Sequence, residues 1–120
     1  MARVLVCDDS SFMRDTISNI LIEGGHEVVG MAADGNAAAA EFGKLRPDIV
    51  TMDIIMEPDG VGAIKKIMAN DANAKIVIVS VLEGGQSGLI EGIKVGALGY
   101  IRKPVDKEHL LNEIDRVMAL

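Results

Sequence analysis

The chain has 120 residues, a formal net charge of −6, and 49% hydrophobic residues against only 2% aromatic ones. That length holds one domain, taken here as 1–120, with an aliphatic core. The acid excess excludes a nucleic-acid face unless a basic patch is present, and none stands out along the chain. No apolar run approaches the ~20 residues that cross a bilayer. The opening Met1-Ala2-Arg3-Val4-Leu5 enters a strand and lacks a signal-peptide pattern. A single cysteine, Cys7, excludes an internal disulfide; inside an apolar run it reads as a small core residue. A cytoplasmic chain with no membrane insertion is the expectation.

Arg3–Cys7 is near-continuously apolar and forms the first predicted strand, ended by Asp8-Asp9. Ser10 or Ser11 can cap the helix that follows, with Phe12, Ile17, Ile20 and Leu21 roughly on one face. Gly24-Gly25 stops it. Glu27–Ala32 is a second, more polar strand, which places it at a sheet edge. Asp34-Gly35 turns into a helix carrying Ala37 to Ala40 and Phe42, and Pro47 closes that connection. The central strand comes next, Asp48-Ile49-Val50-Thr51-Met52-Asp53. Its apolar and β-branched residues stop on a carboxylate, which a strand buried on both faces can carry only where its end opens into a site. Gly60 or Val61 opens a third helix through Ile64, Ile67 and Met68, ending near Asn70. Residues 75–79 form the fourth strand, finishing at Ser80. Leu89, Ile90 and Ile93 have helical spacing within residues 83–96. Gly99–Arg102 is the fifth strand, followed by Lys103-Pro104. Asp106 caps a last helix with Leu110, Leu111, Ile114 and Met118 facing inward.

Strict alternation of strand and helix argues a parallel sheet with helices on both faces. Five strands so connected, with five helices, fit the order 2-1-3-4-5 known for doubly wound, flavodoxin-like α/β folds. Ligands of such sheets bind beyond the carboxyl ends of the strands. There the first strand presents Asp8 and Asp9, the third Asp53, the fourth Ser80 and the fifth Lys103. At ~4.8 Å between neighbouring strands, Asp9 and Asp53 can share one small cation while Ser80 flanks Asp53. Lys103 starts roughly 10 Å away, and its flexible stem covers most of that gap. Each pair of these carboxylates repels by about 4 kcal/mol at ~4 Å and a surface-like dielectric. A divalent ion together with Lys103 offsets the three charges. Hard oxygen ligands with positions left open suit Mg²⁺, which keeps waters and accepts a phosphate. A carboxylate placed there can capture a phosphoryl group covalently. Singly, Asp8 reads as a helix cap, Ser80 as a turn residue and Lys103 as a solvated charge. Their meeting at the strand ends is what points to a site.

Five pieces carry a family likeness: VLVCDDSSFMR, PDIVTMDI, the Asp59-Gly60 pair, VIVS and GYIRKP. Over essentially its whole length the chain resembles the response-regulator receiver domains of two-component signalling, in particular the free-standing chemotaxis type found in archaea and some bacteria. The resemblance implies that Asp53 is the phosphoacceptor for a kinase phosphohistidine. It implies that Asp8, Asp9 and Asp53, with the backbone carbonyl of Ile55, hold Mg²⁺, and that Lys103 pairs with the phosphoryl oxygens. Ser80 then moves to bond the phosphoryl group and Tyr100 turns inward as the switch. A chemotaxis-type histidine kinase is the implied donor. A downstream motility-switch or adaptor protein is the implied target, docking on the fourth helix, fifth strand and fifth helix. No turnover enzyme is implied, since transfer is onto the chain's own Asp53.

Other readings fit less well. A receiver cut from a larger regulator is the neighbouring one. A metal-dependent phosphatase working through an aspartyl-phosphate wants a second acid two residues after the nucleophile, where this chain has Ile55. A flavodoxin-like cofactor binder wants small hydroxyl residues after the first strand and aromatic stacking; Asp8-Asp9 would repel its phosphate. Met56-Glu57-Pro58-Asp59-Gly60 departs from the family loop, with the proline displaced and one residue fewer, so an altered loop is expected. Val81 is bulkier than the alanine common there, which narrows access to Asp53. Ile55 and Leu82 are apolar at positions that influence phosphoryl hydrolysis. Gly88 and Gly92 each cost about 1 kcal/mol against Ala inside a helix. They predict a locally weak fourth helix that rearranges on phosphorylation, with close packing as the alternative.

Overall fold

The computed structural model describes residues 1–56, 60–81 and 87–120. Five strands alternate with five helices: β1 (Arg3–Cys7), α1 (Ser11–Glu23), β2 (Glu27–Ala32), α2 (Gly35–Leu45), β3 (Ile49–Met52), α3 (Gly60–Asn70), β4 (Ile76–Ser80), α4 (Ser87–Lys94), β5 (Gly99–Arg102) and α5 (Lys107–Met118). The strands form one parallel sheet in the order β2-β1-β3-β4-β5, as the alternation predicts. Parallel pairing puts every carboxyl end on the same rim.

Period-2 alternation divides the core in two. Leu5, Val50, Met52, Ile76 and Ile78 pack with Phe42, Ile64 and Ile67 of α2 and α3. Their neighbours Val4, Val6, Ile49, Val77 and Val79 pack with Ile17, Leu21, Leu110 and Ile114 of α1 and α5. With helices over both faces, β3 and β4 are buried from end to end, and their sequences are accordingly continuous in apolar residues. β2 is the half-exposed edge the polar sequence pointed to. At the other edge, β5 alternates buried Gly99 and Ile101 with exposed Tyr100 and Arg102.

Short polar residues set the helix starts. Ser10 Oγ accepts from the Met13 N–H at 3.2 Å, so Ser10 caps α1 and Asp8 does not. Asp34 and Asp106 cap α2 and α5 in the same way. α1 stops at Gly24, and Gly25 follows with φ at +88°, a left-handed conformation that glycine takes without steric cost.

Three expectations shift. Phe12 does not join the inner face of α1; it is 74% exposed. Five residues separate it from Ile17, about 140° around a helix of 3.6 residues per turn. β4 begins at Ile76, a residue later than expected. The glycines of α4 sit where the helix comes close to its neighbours. A Cβ on Gly92 would lie 2.6 Å from Ile78 Cδ1, and one on Gly88 would lie 3.1 Å from Ile54 Cδ1. Close packing therefore accounts for Gly92 at least. Of the altered loop expected over Met56–Gly60, residues 57–59 lie outside the described residues, as does Leu82.

Candidate functional site

Register places the strand ends side by side. Cys7 pairs with Met52, and Met52 with Ile78. Beyond the strands the ladder continues by one residue: the Asp8 N–H donates to Ala32 O and the Asp53 N–H to Cys7 O, each at 3.0 Å. The Lys103 N–H donates to Ser80 O at 3.0 Å. The backbones that carry the reactive side chains are thus tied to the sheet.

On this rim Asp8, Asp9 and Asp53 each bring a carboxylate oxygen within 4.8 Å of the others. Asp8 and Asp53 are 0% and 4% exposed, whereas Asp9 faces solvent. Asp53 Oδ1 accepts from the Ile55 N–H at 3.0 Å, and the Ser80 hydroxyl lies 3.4 Å from it. That second contact is long against the usual O–H···O range of about 2.5–3.0 Å. Asp53 Oδ2 accepts from Lys103 Nζ at 3.2 Å, and the same ammonium stands 2.8 Å from Asp8 Oδ2. Burial by itself would lower the Lys103 pKa; pairing with Asp8 and the charges of Asp53 and Asp8 outweigh it, so the ammonium is held above its ordinary range. Lys103 therefore stays charged through neutral pH and offsets part of the repulsion among the acids.

The acid cluster fits a divalent cation on one further observation. Asp8 Oδ1 accepts from the Ser10 N–H at 3.0 Å. Asp8 Oδ2 is buried and, despite its ion pair, has no hydrogen-bond partner of good geometry among the described residues. A buried carboxylate oxygen with the Lys103 ammonium as its counter-charge, beside two further carboxylates, could hold a hard cation. Cys7, just below, is no nucleophile: burial first, then the charges of Asp8 and Glu41, push its thiol far up.

The structure thus brings Asp8, Asp9, Asp53, Ser80 and Lys103 into one cluster. Ile55 stands beside it, 64% exposed. Tyr100 lies on the outer surface of β5, 45% exposed, its backbone N–H donating to Glu113 Oε2 at 3.1 Å. Next to it an apolar groove of about 540 Å³ is lined by Leu89, Ile90, Ile93, Leu98 and Tyr100.

Two residues at the site escaped the sequence reading. Gly60 opens α3 pressed against the backbone after β3, where a Cβ would run into the Asp53 carbonyl and the Ile54 Cα. A glycine at a helix start has too many innocent explanations for that role to show. Arg14 of α1 donates from Nη1 to the Asp8 carbonyl at 2.8 Å. Its signal was available: a cation in the first turn of a helix opposes the macrodipole.

Comparison with known proteins agrees with this arrangement. Residues 4–115 match the description of the response regulator receiver domain. The chain belongs to that family, the CheY-like receiver domains of two-component signalling. It is 44% identical over 116 residues to the chemotaxis protein CheY of Thermotoga maritima, covering 96% of each chain. Among solved structures it is similar to a chain of the CheX-CheY-BeF3-Mg+2 complex from Borrelia burgdorferi, with a TM-score of 0.90, 32% identity, and 96% of this chain and 87% of that one covered. The response regulator domain of Thermotoga maritima CheB aligns with a TM-score of 0.89 and 37% identity, covering 98% and 96% of the two chains.

Proposed function

We propose that the chain accepts a phosphoryl group on Asp53 from the phosphohistidine of a chemotaxis-type histidine kinase, and signals by docking a downstream target. The setting of Asp53 carries this reading: a nearly buried carboxylate with Lys103 Nζ at 3.2 Å, Ser80 Oγ at 3.4 Å, and two more acids within reach of one cation. An Asp53 carboxylate oxygen attacks phosphorus; the new O–P bond forms as the N–P bond of the donor breaks, and the imidazole keeps the electron pair and takes up a proton.

Asp8, Asp9, Asp53 and the Ile55 carbonyl are the residues that would hold Mg²⁺. Bound there, it supplies positive charge against the phosphoryl oxygens. Lys103, already at Asp53 Oδ2, adds the second positive partner. Among the described residues Ser80 has only its long contact to Asp53 to surrender when its hydroxyl turns to the phosphoryl group. Tyr100, now outside, follows it inward, and the groove between α4 and β5 changes shape. The target, a motility-switch or adaptor protein, docks on the face of α4, β5 and α5. Similarity to a chemotaxis protein CheY, and to a chain of a CheX-CheY complex holding BeF3 and Mg, supports a chemotaxis role, a protein partner and a site that takes Mg²⁺. Among the described residues no helix is long and apolar enough to cross a membrane, in keeping with a place in the cytoplasm.

Incubation with a small phosphoryl donor and Mg²⁺, followed by intact mass measurement, tests the core of the proposal. The wild-type chain gains one phosphoryl mass and Asp53→Asn gains none. Modification that survives this substitution overturns it. The likeness to the CheB response regulator domain favours one second reading, a receiver working within a longer regulator, with the same chemistry at Asp53 and a different output.

A further inference from the structure

We propose that Arg14 is a positioning residue for the acid pair: by holding the Asp8 carbonyl it sets the affinity of the site for a divalent cation. The inference rests on the metal-site reading above and adds a residue from α1 to it.

Asp8 is held at each of its polar groups, three of them by the strand, loop and helix around it and the fourth by the Lys103 ammonium. Its N–H donates to Ala32 O at 3.0 Å, its Oδ1 accepts from the Ser10 N–H at 3.0 Å, and its carbonyl accepts from Arg14 Nη1 at 2.8 Å. Oδ2 alone has no partner from the described residues of β2, the loop or helix α1 and is met by the Lys103 ammonium at 2.8 Å. The three anchors come from three places: the β2 strand end, the α1 cap and the first turn of α1. Arg14 also donates its own N–H to Ser10 O at 2.9 Å, so cap and anchor belong to one turn.

The Asp8 carbonyl lies in the same rigid peptide plane as the Asp9 nitrogen. Fixing that plane aims the start of Asp9, which is exposed and depends on its backbone for direction. Arg14 thus acts on both acids of the pair through one hydrogen bond. Its placement also needs a reason beyond the helix. The first turn of α1 contains no acid, and a cation there opposes the macrodipole. A fork donor reaching back to the loop supplies the reason.

The proposal makes a sign test possible. Arg14 is a cation near a cation site, so loss of its charge alone would tighten Mg²⁺ binding. Loss of positioning weakens it. Titration calorimetry with MgCl₂ alone, at fixed ionic strength, compares wild type, Arg14→Met and Arg14→Lys, with circular-dichroism melts showing that each is folded at the titration temperature. Arg14→Met is expected to bind Mg²⁺ roughly tenfold or more weakly, the scale of loss when a group orienting metal ligands is removed. Arg14→Lys, keeping the charge without the planar fork, falls between. Binding by either variant as tight as wild type, or tighter, overturns the proposal. Should wild type itself take up no Mg²⁺, the metal-site reading falls first and this inference with it.

Discussion

Lys103 Nζ stands nearer to Asp8 Oδ2, at 2.8 Å, than to Asp53 Oδ2, at 3.2 Å. The lysine expected to serve the phosphoacceptor leans at least as hard on the first acid of the pair. Its charge thus offsets part of the carboxylate charge that a divalent cation would otherwise meet. Lys103→Met is expected to tighten Mg²⁺ binding about tenfold, or ~1.4 kcal/mol. The same substitution leaves buried acids without a partner, and without Mg²⁺ it costs up to about 3 kcal/mol of stability. Calorimetry reads the first effect and urea unfolding with and without Mg²⁺ the second. Weaker Mg²⁺ binding in the variant would show that Lys103 does not compete for Asp8.

The pH profile has two limbs with assigned groups. Lys103 is raised above its ordinary value of 10.5, so its contribution is complete below that value and is lost as pH climbs through the higher folded one. Glu113 is lowered from 4.5 by the hydrogen bond from Arg116, against opposing burial, and further by the Arg116 charge and the Tyr100 N–H. Its contribution is present above 4.5 and disappears as pH falls through the lowered value. Urea midpoints measured across both ranges should show the acid limb flattened by Glu113→Gln and the alkaline limb flattened by Lys103→Met. Unaltered slopes in these variants would contradict the assignments.

Helix α4 separates propensity from packing. Gly→Ala gains about 1 kcal/mol in a helix interior, while forcing atoms into a packed core costs about 1–3 kcal/mol. At Gly92 the new Cβ would lie 2.6 Å from Ile78 Cδ1, a fully buried neighbour, so Gly92→Ala is expected to destabilise. Gly88 lies in the first turn of α4, where a new Cβ would be 3.1 Å from the tip of half-buried Ile54, so Gly88→Ala is expected to stabilise by less than the interior value of about 1 kcal/mol. Chemical denaturation of the two single variants decides it; equal shifts of the same sign would remove the packing argument.

Cys7 should be silent in the folded chain. It is 2% exposed and its thiol is pushed up by burial. A disulfide reagent at mildly alkaline pH is expected to react only as fast as the protein opens, and at once in urea. Rapid labelling of the native chain would show that β1 is not sealed at that end.

The sheet was legible because its signals are local. Continuous apolar runs at β1, β3 and β4 mark strands covered on both faces, and Ser10, Asp34 and Asp106 mark helix starts by hydrogen bonds spanning three residues. Phe12 was misplaced because hydrophobicity alone does not say which way a residue points in the first turn, where the helix has yet to meet its partner.

By itself the sequence determined which residues end the strands and, through alternation, that those ends share a rim. That was enough to nominate Asp8, Asp9, Asp53, Ser80 and Lys103, since a parallel sheet gathers its carboxyl ends whatever the loops do. Only the tertiary structure decided how they share their contacts: Lys103 across to Asp8, Arg14 back to the Asp8 carbonyl, and Gly60 against Asp53. These are meetings of side chains and backbone from separate elements, set by helix placement and available space, and no local pattern along the chain encodes a distance.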